Sequence, residues 1–287
     1  MTETIARPFA RIGPERPVSP VVLSVPHAGR DYGASLLAAA RVPRATLELL
    51  EDRLVDKLIW RAVQAGATAF VATAPRAEID LNRDEREIDP AFVDPSPPMM
   101  RIVPSARARA GIGLVPSRIV GAGALWRGRI AASELARRIE TIHRPYHDAI
   151  ADALAQARER FGAALLLDCH SMPPRDPASG EAGIVFGDRH GTSARADLIA
   201  VAAAAADALG HHSGRNVPYA GGHVVARHGQ PQRGVHALQI EIDRSLYLDA
   251  ALTAPGPGFG AICRLIADVA GALETALFDT APAIAAE

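Results

Sequence analysis

The chain has 287 residues, 48% of them hydrophobic and 22% charged, a balance that suits a globular protein with a sizeable buried core. A formal net charge of -1 removes any general electrostatic case for nucleic acid, and two cysteines, Cys169 and Cys263, are too few for a disulfide framework. The opening segment MTETIARPFARIGPERP lacks the apolar core of a signal peptide. The most apolar stretch, ADLIAVAAAAADALG, is too short to span a bilayer and carries aspartates, so a cytoplasmic, non-membrane protein is expected.

After the proline-marked lead-in, VVLSV (21–25) is a short continuous apolar run, the pattern of a buried parallel strand, and it stops at the turn Pro26-His27-Ala28-Gly29. Residues 46–65 read as one helix, with Leu47, Leu50, Leu54, Leu58 and Ala62 on one stripe and Gly66 as its stop. ATAFVATA (67–74) reads as the next strand, followed by AEIDLNRD with partial alternation. Residues 90–128 are rich in Pro, Gly and Arg and read as long loops. A long amphipathic helix is expected over 133–162, bent at Pro145. ALLLDCHS reads as a buried strand ending in the polar turn SMPPRDPASG. GIVFGD reads as another strand, 193–209 as a helix, HALQIEID as a strand and 258–278 as a closing helix. Strands that alternate with helices in this way argue for an α/β sandwich around a parallel or mixed sheet. With no repeat and no linker, a single domain over 1–287 is expected.

In open α/β sheets, ligands gather outside the carboxyl ends of the strands. Three polar clusters follow strands here: His27 after VVLSV, Asp80 to Asp84 after ATAFVATA, and Asp168-Cys169-His170 in the run after ALLL. A catalytic zinc is held by three His or carboxylate ligands with a fourth position open, so His27 and His170 are candidate ligands. Asp52 and Asp56, four apart on the helix expected at 46–65, are candidate carboxylates, although acidic residues opposite an apolar stripe also suit a solvated face. In HALQIEID, alternation points Gln239, Glu241 and Asp243 to one side and Leu238, Ile240 and Ile242 to the other. A carboxylate on one face of an apolar strand must be hydrogen-bonded or functional, which makes Glu241 a candidate general base unless the strand is a wet edge. Asp168 shares a face with His170 and is a candidate partner for its second nitrogen, while Cys169 faces away as a small core residue. His143 and His147 have the i,i+4 spacing of helical zinc ligands. HRPYH lacks the glutamate of HExxH and places Pro145 between them, so the pair is set aside, as is the loop pair His211-His212.

Taken in order, SVPHAG (24–29), EDRLVDKL (51–58), IDLNRD (79–84), PYH (145–147), LLDCHSMP (166–173), NVPYAGGHV (216–224) and GVHALQIEIDRSLYLD (234–249) resemble the N-formylglutamate amidohydrolase family. That family is related in fold to zinc carboxypeptidases and aspartoacylase, so the resemblance implies a three-layer α/β/α sandwich with a mixed central sheet. It implies Zn2+ held by His27, His170 and Asp52, with Asp56 in reserve, and Glu241 as general base. Asn82 and Arg83 would clamp a substrate carboxylate. The implied reaction is hydrolysis of the N-acyl, specifically N-formyl, amide of a small acidic amino acid such as N-formyl-L-glutamate. An aspartoacylase-like or carboxypeptidase-like hydrolase is the alternative. Among Arg101, Arg107, Arg109 and Arg118, which have no acidic residue between them, Arg118 is expected to meet a second substrate carboxylate, and Tyr219 to donate a hydrogen bond near the Gly221-Gly222-His223 turn. The partner expected is a small molecule; no oligomeric state follows.

Overall fold

A run of β-branched and apolar residues buried at every position can only be the interior of a sheet covered on both faces. Val21–Val25, Thr68–Ala72, Ala164–Met172 and Val235–Asp243 are such runs in the computed structural model, which describes residues 8–99, 102–103 and 105–279. The first seven residues of the opening segment, and Arg101 among the loop arginines, lie outside the described residues. These four strands run parallel, in the spatial order Thr68–Ala72, Val21–Val25, Ala164–Met172, Val235–Asp243. Phe9–Ile12 adds antiparallel to Thr68–Ala72 at one edge. At the other edge Ile184–Gly187 pairs antiparallel with Val235–Asp243 and carries Ser213–Arg215 beside it. The result is a mixed seven-stranded sheet.

Alternation sorts the central strand's side chains between two cores. Leu165, Leu167 and Cys169 pack with Leu238, Ile240 and the helices Ala196–Ala208 and Phe259–Phe278. Leu166, Val22, Phe70 and Ala237 pack on the opposite side against Tyr146, Ile150 and Leu154 of Arg144–Phe161. Helices therefore cover both faces, the three-layer α/β/α arrangement with a mixed sheet. Among the described residues, no helix is long and apolar enough to cross a membrane.

The elements differ from the sequence expectations in three places. The helix expected over 46–65 is broken into Arg44–Leu47, a tight turn at Glu48–Leu50, and the short helices Val55–Leu58 and Trp60–Gln64. Between them the backbone amide of Asp52 donates to the carbonyl of His27 at 2.9 Å, and Leu54 takes a φ of 62°. A leucine in the left-handed region costs roughly 1–2 kcal/mol. The tertiary bond to His27 overrides a stripe that, taken locally, favours a helix. The long helix over 133–162 is not simply bent at Pro145: a π-helical turn at Ile139–His143 separates Ala132–Arg138 from Arg144–Phe161. Proline has no N–H and its ring crowds the carbonyl four residues back, which the wider turn relieves. The strands Phe9–Ile12 and Ser213–Arg215 carry too little apolar signal to be read from sequence, because both are edges.

Candidate active site

Four parallel strands end on the same side, and the polar clusters that follow them meet there. His27 enters from the turn after Val25. That turn runs against the segment after Thr68–Ala72 so closely that a Cβ on Gly29 would lie 1.9 Å from the Ala74 carbonyl oxygen, which only glycine permits. His170 and Asp168 come from the central strand, and Gln239 and Glu241 stand beside them, since Glu241 pairs in register with His170 and Gln239 with Asp168. Asp52 arrives from the break in the helix.

The contacts among these side chains are short. His27 Nδ1 is 3.3 Å from Asp52 Oδ2, His170 Nδ1 is 3.0 Å from the same oxygen, and the two Nδ1 atoms are 3.2 Å apart. The opposite nitrogens are held by carboxylates: His27 Nε2 by Asp80 Oδ1 at 2.7 Å, and His170 Nε2 by Asp168 Oδ2 at 2.8 Å. Asp168 is held in turn by the Ser24 hydroxyl at 2.7 Å, and Asp80 by Arg76 Nε at 2.9 Å. With Nε2 of each ring committed to a carboxylate, Nδ1 is left to face Asp52. A carboxylate behind each imidazole is the arrangement that orients histidine toward a metal ion and raises its basicity.

The triangle also has the right size. Tetrahedral zinc with bonds of about 2.0–2.1 Å separates its ligand atoms by about 3.3 Å, close to all three edges here. Charge agrees with geometry. Burial opposes a positive charge on His170, yet Asp168, together with the hydrogen bonds to Asp168 and Asp52, holds its pKa well above the ordinary imidazole value. Burial would likewise raise Asp52, but the hydrogen bonds to His170 and His27 hold it well below the carboxylate range. Asp80 is pulled down in the same way, against burial, by Arg76, His27 and Arg83. The centre demands positive charge between the two Nδ1 atoms and Asp52, which a divalent cation fits.

This centre forms part of the lining of a cleft of 370 Å³, together with Glu241, Tyr219 and four arginines, Arg76, Arg83, Arg107 and Arg244. Glu241 is buried; desolvation, reinforced by Asp52 and Asp168 and opposed by His170 and Arg76, lifts its pKa to about 7. Gln239 Nε2 donates to its Oε1 at 2.8 Å. The strand that carries it lies between two others and is not the wet edge weighed from sequence. Asn82 accepts from the backbone amide of Val224 at 2.8 Å and lies 3.2 Å from His170 Nε2. Arg83 donates from Nε to Ile112 O and from Nη1 to Asn82 O, which fixes the plane of its guanidinium at the cleft. Gly222 passes so close to Asn82 that a Cβ there would meet its side chain at 2.3 Å.

Asp52 lies at the centre, whereas its reserve Asp56 and the expected cleft residue Arg118 lie elsewhere. Asp56 is not at the centre; its Oδ2 accepts from Arg30 Nη2 at 2.6 Å, and the helix break separates it from Asp52. Arg118 does not line the cleft. Its amide bonds to Gly111 O at 3.2 Å and it pairs with Ala124 in a small ribbon that leaves it exposed, whereas Arg107, on the short helix Ala106–Arg109, does line the cleft. Sequence reasoning missed Asp80 as the partner of His27, and it missed Arg76, Arg244 and Gln239 as lining residues. Two local signals existed: the i,i+4 spacing of Arg76 and Asp80, and the alternation that puts Gln239 on the face of Glu241. Cys169 is fully buried, and desolvation followed by Asp168 pushes its thiol pKa far up, which is the opposite of a nucleophile.

The chain is similar to known proteins over most of its length. A family model described as N-formylglutamate amidohydrolase matches residues 19–248. The N-formylglutamate deformylase of Pseudomonas aeruginosa is 30% identical over 240 residues, spanning 80% of this chain and 82% of that protein. The N-formylglutamate deformylase of Pseudomonas putida is 29% identical over 236 residues, again 80% and 82% of the two chains. A crystal structure of an N-formylglutamate amidohydrolase from Ralstonia eutropha JMP134 superimposes with a TM-score of 0.84 at 32% identity, covering 95% of this chain and 98% of that one. A gene product of Agrobacterium tumefaciens, at 17% identity and a TM-score of 0.61, shares the fold.

Proposed function

The chain belongs to the N-formylglutamate amidohydrolase family, and on that premise we propose that it is a zinc-dependent hydrolase releasing the formyl group from N-formyl-L-glutamate or a closely similar acyl amino acid. The observation that carries the proposal is the triangle of His27 Nδ1, His170 Nδ1 and Asp52 Oδ2, with edges of 3.0–3.3 Å, in the wall of a cleft that also holds Glu241. His27, Asp52 and His170 would hold the ion. When bound, Zn2+ supplies Lewis acidity and makes hydroxide available near neutral pH.

The chain's own residues account for the rest. Glu241 is poised near neutrality, so it can take a proton from water at one step and return it to the departing amine at the next. Gln239 fixes the carboxylate by donating to Oε1, leaving Oε2 for the proton. The cleft lining carries four arginines against two carboxylates, Asp52 and Glu241, and so favours a substrate with more than one negative charge. Arg83 and Arg107 are assigned to the substrate's carboxylates and Tyr219 to a hydrogen bond at the mouth. Arg244 donates to Glu51 O at 2.7 Å and reaches Asp52 Oδ1 at 3.3 Å, which makes it a positioning residue for the ligand carboxylate. Holding the amide over the nucleophile in this way converts binding energy into rate.

The test is the metal content of the purified protein, followed by hydrolysis of N-formyl-L-glutamate before chelation, after chelation, and after Zn2+ is restored. Activity that disappears with the metal and returns with it is expected. Full turnover by protein stripped of all metal, or no turnover by the zinc-loaded protein, would overturn the proposal.

A further inference from the structure

A second histidine cluster lies behind the cleft. His143 ends the π-helical turn and His147 follows one turn later. His223 begins the helix His223–His228, next to the segment Leu81–Arg83, where its amide lies 3.4 Å from Asn82 O. The ring centroids of His143 and His147 are 4.5 Å apart, those of His147 and His223 5.3 Å, and those of His143 and His223 5.9 Å. One ring nitrogen from each of the three lies within 4.8 Å of the other two. None of these residues belongs to the His27–Asp52–His170 centre.

The hydrogen bonds show which nitrogens are available. His143 Nε2 donates to the carbonyl of Arg83 at 2.9 Å, so the neutral ring carries a bare lone pair on Nδ1. That Nδ1 is buried and has no partner, on a side chain that is 0% exposed. His223 Nε2 is buried and without a partner as well. His147 Nε2 donates to the carbonyl of Leu81 at 3.0 Å, and its Nδ1 accepts from His228 Nε2 at 3.0 Å. Two orphaned ring nitrogens in one cluster are costly, since a buried polar atom without a partner forfeits its whole hydration. Burial also lowers the pKa of His143, His147 and His223, the last to about 4, so the rings are neutral at physiological pH, the state in which imidazole binds metal.

We propose that His143, His147 and His223 form a second metal site, which takes a divalent transition cation such as Zn2+ and locks the segment Leu81–Arg83 in place. His143 and His223 would offer their orphaned nitrogens, and His147 would exchange one of its two hydrogen bonds for the ion. An all-imidazole set suits zinc, nickel or copper rather than calcium or magnesium. The missing glutamate of HExxH sets the pair aside as a catalytic motif only. It does not bear on holding an ion, and Pro145 is accommodated by the wider π-helical turn that precedes it. The role assigned is structural. The cluster bonds to the carbonyls of Leu81 and Arg83, and the His223 amide reaches Asn82 O at 3.4 Å, so the ion would brace the two residues, Asn82 and Arg83, that face the cleft from the other side.

The test uses the full chain, stripped with a chelator and reloaded with excess Zn2+, with metal counted by elemental analysis and located by anomalous diffraction at the zinc edge. Two zinc ions per chain are expected, one of them among the three rings. His223→Ala should lower the count to one while far-UV dichroism stays unchanged, and His27→Ala should also lower it to one, leaving the ion among His143, His147 and His223. His143→Gln serves as a second variant if His223→Ala fails to fold. A zinc count left unchanged by His223→Ala, or a map with no anomalous peak among the three rings at full loading, would overturn the site. Loss of zinc from His27→Ala with no second ion would likewise overturn it while leaving the cleft centre intact; the converse pattern would sink the cleft centre alone.

Discussion

Asp168→Asn removes one negative charge from behind the candidate centre while keeping the shape of the side chain. Asp168 accepts from His170 Nε2 at 2.8 Å and from Ser24 Oγ at 2.7 Å, and it is completely buried. In the variant the amide oxygen can keep the bond to His170. The amide nitrogen can donate to Ser24 Oγ if that hydroxyl turns its proton to the Tyr146 oxygen, 2.9 Å away. The fold therefore retains its bonds, and charge is the main change. A hydrogen bond to a charged group contributes about 1.5–3 kcal/mol and a neutral one about 0.5–1.5, so His170 loses roughly 1–2 kcal/mol of support for a cation. That difference is a factor of about 5–30 in affinity, in line with the roughly 10–100-fold losses seen when a carboxylate behind a metal-bound histidine is removed. Competition against a chromophoric chelator measures zinc affinity, and urea unfolding of the metal-free protein controls for stability. A Kd about tenfold weaker is expected. A folded variant that binds zinc at the cleft as tightly as the parent would refute the reasoning.

Glu241→Gln keeps the bond from Gln239 through its amide oxygen but cannot accept a proton, so kcat should fall by about 10²–10⁴ with zinc content unchanged. Burial, resisted by His170, raises the carboxyl pKa to about 7, and its base form is lost as pH falls through that value. The acid limb of kcat/KM should therefore lie at or below neutrality, moving lower as the bound ion's charge favours the carboxylate, and a parent profile with no acid limb would contradict the assignment. Arg107→Ala should raise KM for N-formyl-L-glutamate by about tenfold with kcat little changed, while Arg118→Ala leaves both unaltered; equal effects would count against the cleft geometry. His228 is pushed down to about 3 by burial, then by Arg227 and His223. Its unfolded form takes up a proton below about pH 6.5 and the folded form does not, so the stability it contributes is present above that pH and is lost as pH falls. In His228→Gln, the fall in unfolding free energy of the metal-free protein between about pH 7 and about pH 5 should shrink by roughly 1–2 kcal/mol, and identical slopes would refute the linkage.

Much of the framework follows from local pattern alone. VVLSV, ALLLDCHS and HALQIEID announce buried strands because an apolar run bounded by turns leaves no other economical way to satisfy its backbone. Their polar ends mark where a parallel sheet gathers its ligands. Alternation alone puts Asp168 with His170, and Glu241 with Gln239, on one face, since side chains in a strand repeat with period two. Choosing Asp52 over Asp56, or Arg107 over Arg118, lay beyond any such periodicity. The helix that would have carried both aspartates breaks because the Asp52 amide bonds to His27 O, a partner 25 positions away in the chain. Arg118 is turned outward by a backbone bond to Gly111. Asp80 behind His27, and His223 beside His143 and His147, are likewise brought together only by strand order and loop path. Distances between residues remote in sequence are properties of the packed molecule, because they depend on how whole elements settle against one another and not on any local preference.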